Sequence, residues 1–148
     1  MYSHYNTAYQ EEVSTSKDVQ RVSYDLAPDN NFEEIIKNIP IVIVDVWAKW
    51  CQPCKKSSEK FEEIGNMFKN EITEKKILFL KDDIDTEHTY HRDEIEVVPS
   101  FFIYHYGQKV KVINGLDTNE IVNILQTLLG IKPIHKNNIE KTESTGIY

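Results

Sequence analysis

Cysteine is scarce in this sequence: Cys51 and Cys54 are the only two in 148 residues, three positions apart. So sparse a pair excludes a small protein scaffolded by disulfides. A Cys51–Cys54 bridge would close a very short loop, and chain entropy gives it only about 2 kcal/mol. It would be a weak staple and a switch that is cheap to open. Basic side chains are also in deficit, 17 against 24 acidic ones, for a formal net charge of -7. That balance favours solubility and argues against non-specific binding to nucleic acid or anionic lipid. No stretch approaches the roughly 18 consecutive apolar residues of a membrane span. The opening MYSHYNTAYQEEV has neither the apolar centre of a secretory signal nor the Arg-rich, acid-poor character of a transit peptide. The expected location is therefore cytoplasmic.

What is present is ordinary globular material, with 40% hydrophobic and 11% aromatic residues, enough for one domain with ragged ends. Residues 1–18 are polar, dotted with tyrosine and without period, and read as a flexible extension; 131–148 read as a polar tail. Between them lies one domain, 19–130. VQRVSYDL (19–26) suits a short edge strand, and APDNN offers a turn with Asn30 or Asn31 as cap for a helix over 32–39. IPIVIVDVWA (39–48) is a β-branched run with the character of a strand buried on both faces. Helical spacing follows from Cys51 to about Asn70, marked by Phe61, Ile64 and Phe68. KKILFLKDDID (75–85) is a second buried strand, and TEHTYHRDEIE predicts a short solvated helix within an acidic run from Asp82 to Glu96. VPSFFIYHYG and QKVKVING predict a hairpin turned at Gly107. Ile121, Ile124, Leu125, Leu128 and Leu129 line one face of a last helix, capped by Asp117 or Thr118 and ended by Gly130. Strands joined by helices imply parallel pairing, and the hairpin adds antiparallel members, so the expected fold is α/β with a mixed central sheet flanked by helices on both faces.

The cysteines lie in WAKWCQPCKK (47–56), where they could be a structural clip, half of a metal site or a redox pair. Zinc would need two further ligands at sensible spacing, and no third cysteine exists. Asp45 is the single charge in the apolar run before them. Burying a lone ionised carboxylate costs several kcal/mol, so its pKa should rise.

VDVWAKWCQPCK (44–55), Lys81 in FLKDDID, the dipeptide Val98-Pro99 and Gly115 together resemble the thioredoxin family over about residues 19–130. A C-x-x-C alone would be weak; after a buried strand bearing an acid, and with an apolar-Pro dipeptide opening a later strand, it is specific. The resemblance implies the thioredoxin fold and a thiol-disulfide oxidoreductase that reduces client protein disulfides. Cys51, at the mouth of a helix where free N–H groups and the dipole favour a thiolate, would attack. Cys54, one turn in, would resolve the mixed disulfide. Asp45 would take the proton of Cys54, modulated by Lys81. Val98-Pro99 would be cis, and Trp50, Gln52, Pro53, Val98, Pro99 and Gly115 would receive the client, the residue before the proline pairing main chain to main chain. No cofactor or metal would be bound beyond the Cys51–Cys54 disulfide itself. The chain would be a monomer recharged by an NADPH-dependent flavoprotein reductase. The alternative is a thioredoxin-like docking module in a larger assembly. Three positions depart from the family pattern: Gln52 stands where glycine is usual, Glu59 where many members carry proline, and Ser57 with Ser58 where larger apolar residues follow the second cysteine.

Overall fold

The computed structural model describes residues 19–131. The expected extension (1–18) and all of the expected tail after Ile131 lie outside the described residues. Along the chain run β1 (Tyr24–Asp25), α1 (Phe32–Asn38), β2 (Ile41–Trp47), α2 (Gln52–Met67), α3 (Lys69–Thr73), β3 (Ile77–Asp83), β4 (Ser100–His105) and β5 (Gln108–Asn114). They belong to one compact unit ending at Leu116; a second begins at Asp117 and holds α4 (Thr118–Leu129).

The five strands form one mixed sheet in the order β1-β3-β2-β4-β5. β3 is parallel to both β1 and β2, while β4 runs antiparallel to β2 and β5 antiparallel to β4. The β-branched run takes the centre, with every residue from Ile41 to Val46 buried. Its even positions, Val42, Val44 and Val46, join Leu80, Phe102 and Tyr104 in a core that α1 covers with Phe32 and Ile36. The odd face carries Ile43, Phe79 and Phe101, and there Phe61 of α2 stacks 5.1 Å from Phe79 and 5.7 Å from Phe101. The sheet thus has a helix on each face. α2 comes so close to the chain beside it that a side chain at Gly65 would collide with Val22. The β4–β5 turn puts Tyr106 and Gly107 at φ 50 and 84, and positive φ at both central residues is what a two-residue hairpin turn needs.

Caps fall where the sequence places them: Asn31 accepts from the Glu34 amide at 3.2 Å, and Asp117 accepts from the Glu120 amide at 3.0 Å. In α4, Ile121 and Leu125 are buried, and Gly130 ends the helix with a left-handed φ of 77.

Three expectations need correction. The strand foreseen over 19–26 is only Tyr24–Asp25, because the amides of Val22 and Ser23 donate to the Glu62 carboxylate instead of to a strand. The first long helix stops at Met67 and restarts as α3 after Phe68. The solvated helix foreseen over 86–96 is a string of turns with one 3-10 turn, Arg92–Glu94. There the Asp82 carboxylate draws the amides of Tyr90 and His91, which a helix would otherwise use. Asp82 and His91 are accordingly buried and do not belong to a solvated face.

Candidate active site

Cys51 is the N-cap of α2, and its sulfur accepts the Cys54 main-chain N–H at 3.1 Å. The two cysteines form a disulfide with their Cα atoms 5.3 Å apart. Pro53 sits in the first turn, where the helix has no internal partner for the N–H that proline lacks. Gln52 and Pro53 are exposed, whereas Cys51 and Cys54 are 5% and 1% accessible. Sulfur therefore meets solvent mainly at Cys51. Trp50, directly before it, is 67% exposed and is the bulkiest apolar side chain at this rim.

The Cys51 sulfur lies 3.6 Å from the main-chain oxygen of Val98. The Val98–Pro99 peptide is cis, and the Pro99 carbonyl accepts the Gly115 amide at 2.8 Å. Gly115 has φ 82, a conformation that favours glycine. Cys51, Val98, Pro99 and Gly115, spread over 64 positions in sequence, are thus linked in one local chain of contacts.

Asp45 is wholly buried on the odd face of β2, in register with Lys81 of β3 and Phe101 of β4. Neither carboxyl oxygen has a hydrogen-bond partner among the described residues. Burial raises its pKa to about 7; the Lys81 charge pulls it down and Glu62 pushes it further up. Lys81 Nζ stands 4.0 Å from Asp45 Oδ2, donates to Ser58 Oγ at 2.6 Å, and lies 5.0 Å from the centre of the Trp47 ring. A carboxyl that titrates near neutrality is equipped to take and return protons.

Sequence reasoning missed three contributors. Ser58, noted only as a departure, holds the lysine. Glu62, wholly buried, accepts from Val22 N–H, Ser23 N–H and the Ser23 hydroxyl at 2.8, 3.1 and 2.5 Å. His91 bridges Asp82 and the Tyr104 hydroxyl at 2.8 and 2.9 Å. The one available signal for Asp82 was alternation along β3, which puts it on the same face as Leu78 and Leu80. Among the described residues no group of three or more His, Cys, Asp or Glu side chains is arranged to hold a metal ion, and no helix is long and apolar enough to cross a membrane.

Comparison with known proteins matches this geometry. The sequence model of the Thioredoxin family covers residues 23–127. A thioredoxin of Coprinus comatus is 30% identical over 101 residues, spanning 68% of this chain and 92% of the relative. A bifunctional thioredoxin reductase/thioredoxin of Mycobacterium leprae is 30% identical over 95 residues, which are 64% of this chain and 20% of that protein. The crystal structure of the short form of spinach chloroplast thioredoxin F superposes with a TM-score of 0.61 at 24% identity, covering 77% of this chain and 99% of that one, a likeness of fold. With the family matched over most of its length and both cysteines paired at a helix mouth, the chain belongs to the thioredoxin family and is a thiol-disulfide oxidoreductase.

Proposed function

We propose that the chain acts as a reductant of client disulfides, with Cys51 attacking and Cys54 resolving. The observation that carries this order is the Cys54 N–H on the Cys51 sulfur at the N-cap of α2. An N–H donor and the helix dipole favour negative charge on that sulfur, and the thiolate is the nucleophile. The Cys51 thiolate attacks one sulfur of the client disulfide, and the other client sulfur leaves as a thiolate. Cys54 loses its proton to Asp45 and attacks the Cys51 sulfur, breaking the mixed disulfide and releasing the second client thiolate. Two electrons pass to the client, and Cys51–Cys54 is left oxidised. Asp45 then gives the proton up to the released client thiolate or to solvent, since Cys54 is now in the disulfide, with Lys81 setting how readily.

The client main chain pairs with Val98, whose carbonyl lies beside the sulfur, and Trp50, Gln52, Pro53, Pro99 and Gly115 complete the docking surface. That assignment is supported by the exposure of Trp50 and by the Gly115–Pro99 hydrogen bond. Recharging falls to a flavoprotein thioredoxin reductase drawing on NADPH; the name of the Mycobacterium leprae relative supports a reductase as partner. Residues 19–130 act as one thioredoxin domain, in keeping with the family match over 23–127. A chain whose only cysteines are the exchange pair suits a reducing compartment, and we assign it to the cytoplasm.

Trapping tests the roles. Cys54→Ser should accumulate a mixed disulfide with oxidised client, mapped by mass spectrometry to Cys51. Accumulation through Cys54 in the Cys51→Ser protein would reverse the assignment.

A further inference from the structure

Asp45 and Lys81 are Cα partners on neighbouring parallel strands, so their side chains rise from the same face. Both are buried, and a flexible lysine in that position has the reach to close a contact ion pair. It does not. Its Nζ donates to Ser58 Oγ at 2.6 Å and stops 4.0 Å from the carboxylate, beyond hydrogen-bond range. The Trp47 ring, 5.0 Å from Nζ, flanks the ammonium. A buried cation is thus bonded to a neutral hydroxyl, while the buried acid beside it has no donor among the described residues. Ser58 reaches the pair from α2, four residues beyond Cys54, so it lies on the same element as the exchange cysteines.

We propose that Ser58 is a positioning residue: its hydroxyl holds the Lys81 ammonium short of Asp45 and so weakens the lysine's electrostatic hold on that carboxyl.

The groups facing Asp45 define what this does. Lys81 from β3 favours the ionised form, Glu62 from α2 opposes it, and Phe101 from β4 is neutral. Cys54 titrates only when the disulfide is open. Coulomb attraction scales with the inverse of distance, and at an effective dielectric of about 20, closing the gap to about 2.8 Å would lower the carboxyl's titration by about one pH unit. A carboxyl so clamped would stay ionised at neutral pH, ready to accept a proton but slow to keep one. Ser58 keeps it balanced. The consequence for turnover rests on the proton-transfer role proposed for Asp45; the positional claim does not.

Titration of the Asp45 side-chain carbon by NMR in the oxidised protein, where neither cysteine titrates, tests the claim directly. Ser58→Ala, a benign change within a helix, should let Lys81 close on Asp45 and lower its titration midpoint by about one pH unit. Ser58→Thr, which keeps the hydroxyl, should titrate as wild type does. In a Lys81→Met background the Ser58→Ala shift should vanish, because the serine acts only through the lysine. An unchanged or raised midpoint in Ser58→Ala, or an equal drop without Lys81, overturns the proposal. If the titrations behave as expected while Asp45→Asn leaves the pH–rate profile unmoved, the proton-transfer role fails and the positioning role stands.

Discussion

Asp82 and His91 are locked together twice: Asp82 Oδ2 accepts the main-chain N–H of His91 at 3.0 Å and its ring Nδ1 at 2.8 Å. The Tyr90 amide adds a third bond at 2.9 Å. With hydrogen on Nδ1 the imidazole donates to Asp82, and its Nε2 lies 2.9 Å from the Tyr104 hydroxyl, so ring and phenol both have partners. Burial pushes the Tyr104 phenol above its ordinary range, which keeps its hydrogen in place. His91 is the one buried side chain between Asp85 and Val98. The lock therefore ties the middle of the segment between β3 and β4 to both of those strands.

Asp82→Asn should destabilise the protein by about 1.5–3 kcal/mol at pH 7, the worth of hydrogen bonds to a charged acceptor. Burial alone would raise the Asp82 pKa, but the bonds from the His91 ring and the Tyr90 amide outweigh it and hold the carboxyl below its usual range. A lowered pKa contributes stability that is fully present above the unfolded value of about 3.9 and lost as pH falls through the folded one. The gap between wild type and variant, read by urea unfolding, should be full at pH 7 and narrow below about pH 4. A gap of equal size at both would mean that the charge on Asp82 contributes nothing.

Asp45 has the opposite sign. Its pKa is raised to about 7, so between the unfolded value and 7 the native state binds the extra proton and wild-type stability falls as pH rises. The penalty is complete above pH 7 and amounts to about 4 kcal/mol, less the roughly 1–3 kcal/mol of burying an unpaired amide in its place. Asp45→Asn should therefore melt higher than wild type at pH 8, both oxidised, with the advantage shrinking towards pH 4. A pH-independent difference would show that the carboxyl is not ionised against its burial.

The parts legible in the sequence were those written as local pattern. An unbroken β-branched run became β2, helical spacing after Cys51 became α2, and Asn31, Asp117 and Gly130 ended helices as cap chemistry requires. Asp45 stood out because it is the lone charge in seven strand residues. Asp82 did not, since it opens a run of acids whose other members are exposed or half-buried, and only strand alternation turns it inward. Glu62 and Ser58 work through partners 40 and 23 positions away, and no period along the chain records such bonds. The resemblance to thioredoxins supplied what pattern could not: the cis bond before Pro99 and the pairing of that loop with the cysteines.

Gln52 should leave the protein a reductant. It is exposed, neutral and at the first position of α2, so it brings no charge to the Cys51 sulfur. Lys49 and Lys55 are exposed, and screened charges of that kind are worth fractions of a kcal/mol. Since about 30 mV corresponds to 1.4 kcal/mol for a two-electron couple, these terms move the potential by tens of millivolts at most. Equilibration with glutathione, followed by tryptophan fluorescence, should give a value between about -280 and -220 mV, the span of thioredoxins and the nearer glutaredoxins. A value near -120 mV would make the chain an oxidant and exclude the reductase proposed as its partner.

The central claim is that this chain passes electrons to protein disulfides through Cys51, and insulin reduction by dithiothreitol tests it most directly. Wild type at catalytic concentration should bring forward the precipitation of the insulin B chain. Cys51→Ser should return it to the rate of dithiothreitol alone, with the fold intact by circular dichroism. Equal rates for wild type and Cys51→Ser, whether both fast or both at background, would contradict the account.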